Sequence, residues 1–282
     1  MSEREGRRDE PSSQAALPEP ELLTLQAAWL APARSYLLRQ VQIARRQRVL
    51  DLGTGYGVVL PELQRRAGGS VIALDREMAP LRYVRGSPPV AADATALPFC
   101  DGTFDLIFSQ ISLLWITPLA KAIAEISRTL RPGGVLVALE PDYGGMIEHP
   151  PEVHTRAMWL SALARAGADP YVARKLPRLL SAQGFAVDVG LFNTLGEADP
   201  ARFDFLAGLP LTAAERDRLA AIRAASRALQ GAWAEVAHLP FFLVRAEKLN
   251  PPPPRQPGAR RRGRPGAIVW RPRAWHRRAR GW

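Results

Sequence analysis

Residues 49–57 read Val-Leu-Asp-Leu-Gly-Thr-Gly-Tyr-Gly: an apolar run, an acid, then alternating glycines. Val49, Leu50 and Leu52 suit a parallel strand buried on both faces, with Asp51 near its carboxyl end. Gly53, Gly55 and Gly57 permit a turn too tight for side chains and let the backbone approach a ligand closely. Val58, Val59, Leu60 and Leu63 then carry helical spacing, so the turn is expected to feed a helix N-terminus whose free amides attract negative charge. Strand, glycine turn and helix in that order point to an α/β fold.

Further segments follow at matching distances. Ser70 to Asp75 is a second apolar run ending in an acid, and Asp75 follows the glycines at about the interval from which an acid reaches ribose hydroxyls. Between Asp75 and Val90 the sequence allows at most two helical turns, Glu77 to Val84, because Pro88-Pro89 cannot continue a helix. Ala92-Asp93-Ala94 comes next, then Thr103 to Gln110, read as a fourth strand that opens beside the first at the point where strand order reverses. Asp105 within it reads as structural. Thr117-Pro118 is expected to cap and start the following helix. Arg131-Pro132-Gly133-Gly134 closes that helix and starts a fifth strand.

A dinucleotide fold would require G-x-G-x-x-G, but Val58 occupies the third glycine position. Asp51, two residues before the first glycine, opposes a pyrophosphate and suits a ligand carrying an amine. This D-x-G-x-G-x-G form resembles motif I of the class I S-adenosylmethionine-dependent methyltransferases. The similarity runs over roughly residues 45–145, about half the chain, and is strongest to the ubiquinone/menaquinone C-methyltransferase-like, type 11 branch. It implies a Rossmann-like, doubly wound, seven-stranded sheet with an antiparallel last strand, plus a helical cap. It also implies S-adenosyl-L-methionine as cofactor. Asp51, Gly53, Thr54, Gly55 and Gly57 would cradle the methionyl part, Asp75 and Arg76 the ribose, and Asp93 with the Ala94 amide the adenine. Ser109 and Gln110 would close the site at the end of the fourth strand.

Residues 19–249 are expected to form this domain, with 1–18 and 250–282 disordered. Glu19 to Ala44 reads as helix interrupted at Pro32, with Trp29 and Tyr36 as core residues. Val153 to Ala166 and Tyr171 to Gln183 read as two helices, Gly184 to Val189 as the start of a sixth strand, and Phe241 to Ala246 as the last strand. Thr212-Ala213-Ala214-Glu215 is a capping box, after which Leu219, Ile222, Leu229, Trp233 and Val236 share a helix face. The helical excess, mainly 153–237, is assigned to a cap over the substrate end.

A methyl sulfonium is already activated, so the protein must chiefly align the acceptor and exclude water. No catalytic residue is assigned. Trp115, Glu140, Tyr143 and His149 are the pocket candidates, with His149 the foremost candidate base. Ser109-Gln110-Ile111-Ser112 is not the Asn-Pro-Pro-Tyr type of amino-directed adenine enzymes, and Cys100 is not placed as a cytosine-C5 nucleophile. A small-molecule acceptor is therefore expected. The alternative is a non-catalytic, cofactor-binding or nucleic-acid-associated protein that uses its basic tail.

A single cysteine in 282 residues rules out an internal disulfide and a cysteine-based zinc site, and no metal is expected. No run approaches the roughly 20 apolar residues of a membrane span, and the charged N-terminus resembles no signal peptide, so a cytoplasmic protein is expected. The net charge of +11 resides in the tail: residues 251–282 carry ten arginines and no acid, leaving the remainder near neutrality. Four prolines open that tail, and Trp270, Trp275 and Trp282 are interleaved with the arginines. The composition fits either a polyanion-binding arm or a shifted-frame extension. A chain ending at Asn250 is expected to keep its melting temperature and cofactor affinity. Any polyanion retention by the full chain should fall steeply with salt in a gel-shift series.

Overall fold

A computed structural model describes residues 17–192 and 194–250. The expectations for residues 1–16 and for the basic tail lie outside the described residues. Two helices come first, α1 (Pro20–Trp29) and α2 (Ala31–Gln40), with Pro32 in the first turn of the second. β1 (Arg48–Leu52) passes through the glycine turn to α3 (Leu60–Arg66), β2 (Ser70–Asp75), α4 (Met78–Leu81), β3 (Pro89–Ala91) and β4 (Phe104–Gln110). Then come α5 (Leu119–Thr129), β5 (Leu130–Pro141), the short β6 (Ile147–His149), α6 (Arg156–Arg165) and α7 (Val172–Ala182). β7 (Phe185–Phe192), α8 (Arg202–Ala207), α9 (Ala213–Ala228), β8 (Val236–His238) and β9 (Phe241–Lys248) complete the described chain.

Seven strands pair in the order β3-β2-β1-β4-β5-β9-β7. The first five are mutually parallel, and β9 runs antiparallel between β5 and β7. This is the Rossmann-like sheet expected, with its strand order reversing between β1 and β4. Alternate residues serve different cores. Val49, Leu106, Val135 and Val137 join α2 and α3 on one face, while Leu50, Ile107, Leu136 and Ala138 join α5 and α7 on the other. Burial of both faces explains why these strands read as continuous apolar runs. Among the described residues no helix is long and apolar enough to cross a membrane.

Several expectations change. Thr117 does not cap α5, which starts at Leu119 with Pro118 in the cap position and no side-chain cap. α7 does not join a cap: it packs on β5, β7 and β9 as part of the sheet's covering layer. The capping box at Thr212 forms in full, and Glu215 of that box also reaches Ser161 and Arg165 of α6. α9, however, ends at Ala228. Gly231 and Trp233 both take positive φ, and Val236 belongs to β8, which pairs with β6 in a separate two-stranded ribbon. The glycine two residues beyond Leu229 is the local stop signal.

Asp105 proves structural: its two carboxylate oxygens accept the amides of Gln47 (2.8 Å) and Arg48 (3.1 Å), fixing the start of β1 against β4. Replacing Asp105 by Ala strands both amides and should cost about 1–3 kcal/mol in urea denaturation. Asp105→Asn, which keeps one acceptor oxygen, should recover part of the loss.

Candidate active site

A cavity of about 1120 Å³ opens at the carboxyl ends of β1, β2 and β4 and at the turns after β3 and β5. α1 closes it from one side through Leu23, Gln26 and Trp29, so Trp29 is a wall residue and not simply core. Leu17 and Pro18 also line it, within a stretch expected to be disordered.

The glycine turn forms one end. Gly53 has φ of +75°, and a Cβ there would lie 2.4 Å from the Ser112 Cβ, so only glycine fits. The turn is not an anion nest. The amides of Gly53 and Thr54 donate to the Leu74 carbonyl, that of Gly55 to the Asp75 carboxylate (2.8 Å), and that of Gly57 to the Thr54 carbonyl. α3 begins three residues after Gly57; neither Gly57 nor any α3 residue is among the lining residues, which here are Gly53 to Tyr56, Val58 and the cap residue Val59. The glycine amides of the turn are therefore already engaged and not free for a negative ligand. Gly57 shapes the turn from behind, against Val84 and Leu60.

Carboxylates surround this end instead. Asp51 is buried at the cavity wall and accepts the Thr54 hydroxyl at 2.6 Å. Burial pushes its pKa up to about 6, with nearby Asp75 adding to the rise. Asp75 also accepts the Glu77 amide, and Asp93 accepts the Thr95 amide at 2.7 Å, which holds its carboxyl below the usual range. Arg76 lines the wall paired with Glu77, Ala94 lies buried beside Asp93, and Gln110 accepts a bond from buried Arg34.

Two expected residues sit beneath the floor. Glu140 is fully buried and does not line the cavity. Its Oε1 accepts the amides of Ser112 (3.2 Å) and Leu113 (3.1 Å) and the Ser109 hydroxyl (3.3 Å). Ser109, likewise off the lining, also contacts the Ser112 hydroxyl, which donates to the Leu52 carbonyl. The other oxygen of Glu140 has no hydrogen-bond partner among the described residues. Burial raises the Glu140 pKa to about 7, even against these donated bonds.

Residues 50–138 match the family model for a methyltransferase domain. This stretch of the chain is therefore similar to a methyltransferase domain. It is 32% identical to the malonyl-[acyl-carrier protein] O-methyltransferase of Pseudescherichia vulneris over 143 residues, 49% of this chain and 54% of that protein. It is 36% identical to the demethylmenaquinone methyltransferase of Renibacterium salmoninarum over 124 residues, 43% of this chain and 49% of that one. The chain thus spans about half the length of these curated relatives. Among solved structures, a putative methyltransferase from Bacillus halodurans superposes with a TM-score of 0.58 at 16% identity, covering 77% of this chain and 98% of that one. The YcgJ protein of Bacillus subtilis gives 0.56 at 15%, over 77% and 100%. At such identities these two share the fold.

The far end of the cavity is apolar. Trp115 and Tyr143, both expected there, line it, and Tyr143 stacks on Trp159 with ring centroids 5.0 Å apart. Trp29 contacts Phe205 at 5.6 Å and donates its indole N–H to Asp199 at 3.1 Å, joining α1 to the segment before α8. His149 does not take part: it is exposed on β6 and absent from the wall. The histidine that does line the cavity is His238, on the facing strand β8. Reading 229–236 as helix hid it. Alternation of Val236, His238 and the following Leu239-Pro240 was the available signal.

Glu140 and Asp51 ionise less readily folded than unfolded, so between about pH 4 and pH 7 the folded domain binds more protons. Their contribution to stability therefore falls as pH rises through that window. For Glu140 the loss amounts to at most about 3 kcal/mol at 1.36 kcal/mol per pKa unit. Urea denaturation at pH 5 and pH 8 should show Glu140→Gln losing less stability across the interval than the wild type.

Proposed function

We propose that the chain binds S-adenosyl-L-methionine beside β1–β3 and transfers its methyl group to a small-molecule acceptor. The observation that carries this is the charge of the site: Asp51, Asp75, Glu77 and Asp93 surround a turn whose glycine amides are already bonded. Such a wall opposes a pyrophosphate and suits a cationic, hydroxyl-bearing ligand. Asp51 is a buried acid at the wall that a ligand ammonium would compensate. The residues present fit the cofactor.

In this reading Asp51 holds the ammonium, Gly53 to Gly55 pass close along the methionyl chain, Asp75 takes the ribose hydroxyls, and Asp93 with the Ala94 amide takes the adenine. When bound, the cofactor supplies a methyl carbon on a sulfonium, whose C–S electron pair returns to sulfur on transfer. The chain's own task is to exclude water and orient the acceptor. Trp29 and Phe205 close one wall, and α6, α8 and the residues around β8 form the cap. Names of relatives include a demethylmenaquinone and a malonyl-carrier enzyme, so acceptors of low molecular weight or tethered to a carrier form the class to screen.

Calorimetry should show S-adenosylmethionine and its demethylated product binding more tightly than NAD; the reverse order would overturn this reading. Affinity should strengthen as pH rises through about 6, where Asp51 ionises. Asp51→Asn should flatten that dependence and weaken binding by about 1.5–3 kcal/mol, the value of a hydrogen bond to a charged group.

A further inference from the structure

Beyond the carboxyl ends of β4 and β5, away from the glycine turn, the wall is built from Trp115, Tyr143, Trp159, Leu163, Phe205 and Leu239. The charged groups on this side are committed to partners. Arg202 pairs with Glu235 through a terminal nitrogen, while its buried Nε has no partner among the described residues; Asp199 accepts from Trp29 and from the Ala201 amide, and Glu197 accepts the Trp233 amide. An acceptor carrying a phosphate or carboxylate would therefore be desolvated here beside a cation that already has a carboxylate partner.

His238 is different. It lines the wall, half-buried, and its ring has no hydrogen-bond partner among the described residues. β8 holds it opposite Ile147 of β6. Ionisable groups on the adjoining elements are engaged elsewhere: Glu148 accepts from Thr155 and the Arg156 amide, His154 bonds to the Glu148 carbonyl, and Asp142 pairs with Arg174. Burial lowers the imidazole pKa, with no neighbouring charge contributing, so the ring is neutral at pH 7 and keeps one nitrogen as an acceptor.

We propose that this half of the cavity takes an uncharged, apolar, ring-bearing acceptor with a hydroxyl group, and that His238 receives the hydrogen bond from that hydroxyl. The inference rests on the methyl-transfer reading and specifies its acceptor. As the hydroxyl is methylated, its O–H bond breaks, the proton goes to the unprotonated imidazole nitrogen, and the oxygen keeps the electron pair with which it bonds carbon. The positive charge that forms is held on the ring of His238.

The test is equilibrium dialysis of the full chain with two probes, 1-naphthol and 1-methoxynaphthalene, which share a ring system but differ in the O–H. At neutral pH 1-naphthol should bind about fivefold more tightly, the value of one net hydrogen bond. His238→Leu should remove that preference, His238→Gln should keep part of it through its amide oxygen, and His149→Leu should leave it unchanged. The preference should fade as the pH falls and the imidazole protonates. S-adenosylhomocysteine should displace neither probe. Equal affinities in the wild type, a preference that survives His238→Leu, or failure of both probes to bind overturns the proposal. So does displacement by S-adenosylhomocysteine, which would put the ring at the adenine end. Probe selectivity that persists in a chain unable to bind S-adenosylhomocysteine would support the assignment of His238 while removing the methyl-donor reading.

Discussion

The site depends on one buried carboxylate. Glu140, at the end of β5, gathers two backbone amides from the loop after β4 and the Ser109 hydroxyl of β4 itself onto a single oxygen. That loop then presses Ser112 against Gly53 and bonds it to the Leu52 carbonyl. Three neighbouring strands, β1, β4 and β5, are thereby fixed to one another where the cavity begins. Desolvating a carboxyl this deeply is costly, and three donated bonds offset only part of it. An apolar residue of similar size would lack the acceptor that holds Ser112 in place.

The same economy governs the glycine turn. Its amides bond to Leu74, to Asp75 and to the turn itself, so the turn is rigid before any ligand arrives. Preorganisation of this kind leaves recognition to the carboxylates and to shape. The selectivity of this end of the cavity is accordingly a matter of charge sign, and the sign is negative. At the other end, charges are paired off and aromatic rings dominate, so one cavity offers two solvents to one reaction.

Sequence patterns disclosed the sheet well because both of its faces are buried: each strand from Val49 to Ala138 reads as an apolar run, and each is punctuated by glycine, proline or an acid. Asp51, Asp75 and Asp93 were legible for the same reason, as acids at strand ends. The acceptor end was not. Its walls come from α1, from residues 192–209 and from the β6–β8 ribbon, which are brought together by tertiary packing with no local motif. Ser109 was read at the end of the fourth strand and Glu140 among the pocket residues after the fifth, but whether such a side chain faces the cavity or lies beneath it depends on how the Ser112 loop folds back. His149 and His238 show the limit most clearly. They lie on the same face of one ribbon, and only their position along it, at opposite ends of the pairing, separates the one that meets the cavity from the one that does not.

The position of β9 carries a consequence for how the domain comes into being. The last strand in the chain is not at the margin of the sheet but between β5 and β7, and it is the partner that joins them. Until Phe241–Lys248 has been synthesised, β5 presents an unpaired edge and β7 has no place in the sheet. α7, amphipathic and packed mainly on β7 and β9, waits with them, its apolar residues Leu176 and Leu180 only partly covered by β5. A chain arrested before residue 241 would thus hold a nearly complete glycine-turn end of the cavity and two open strand edges, the mark of an aggregation-prone intermediate.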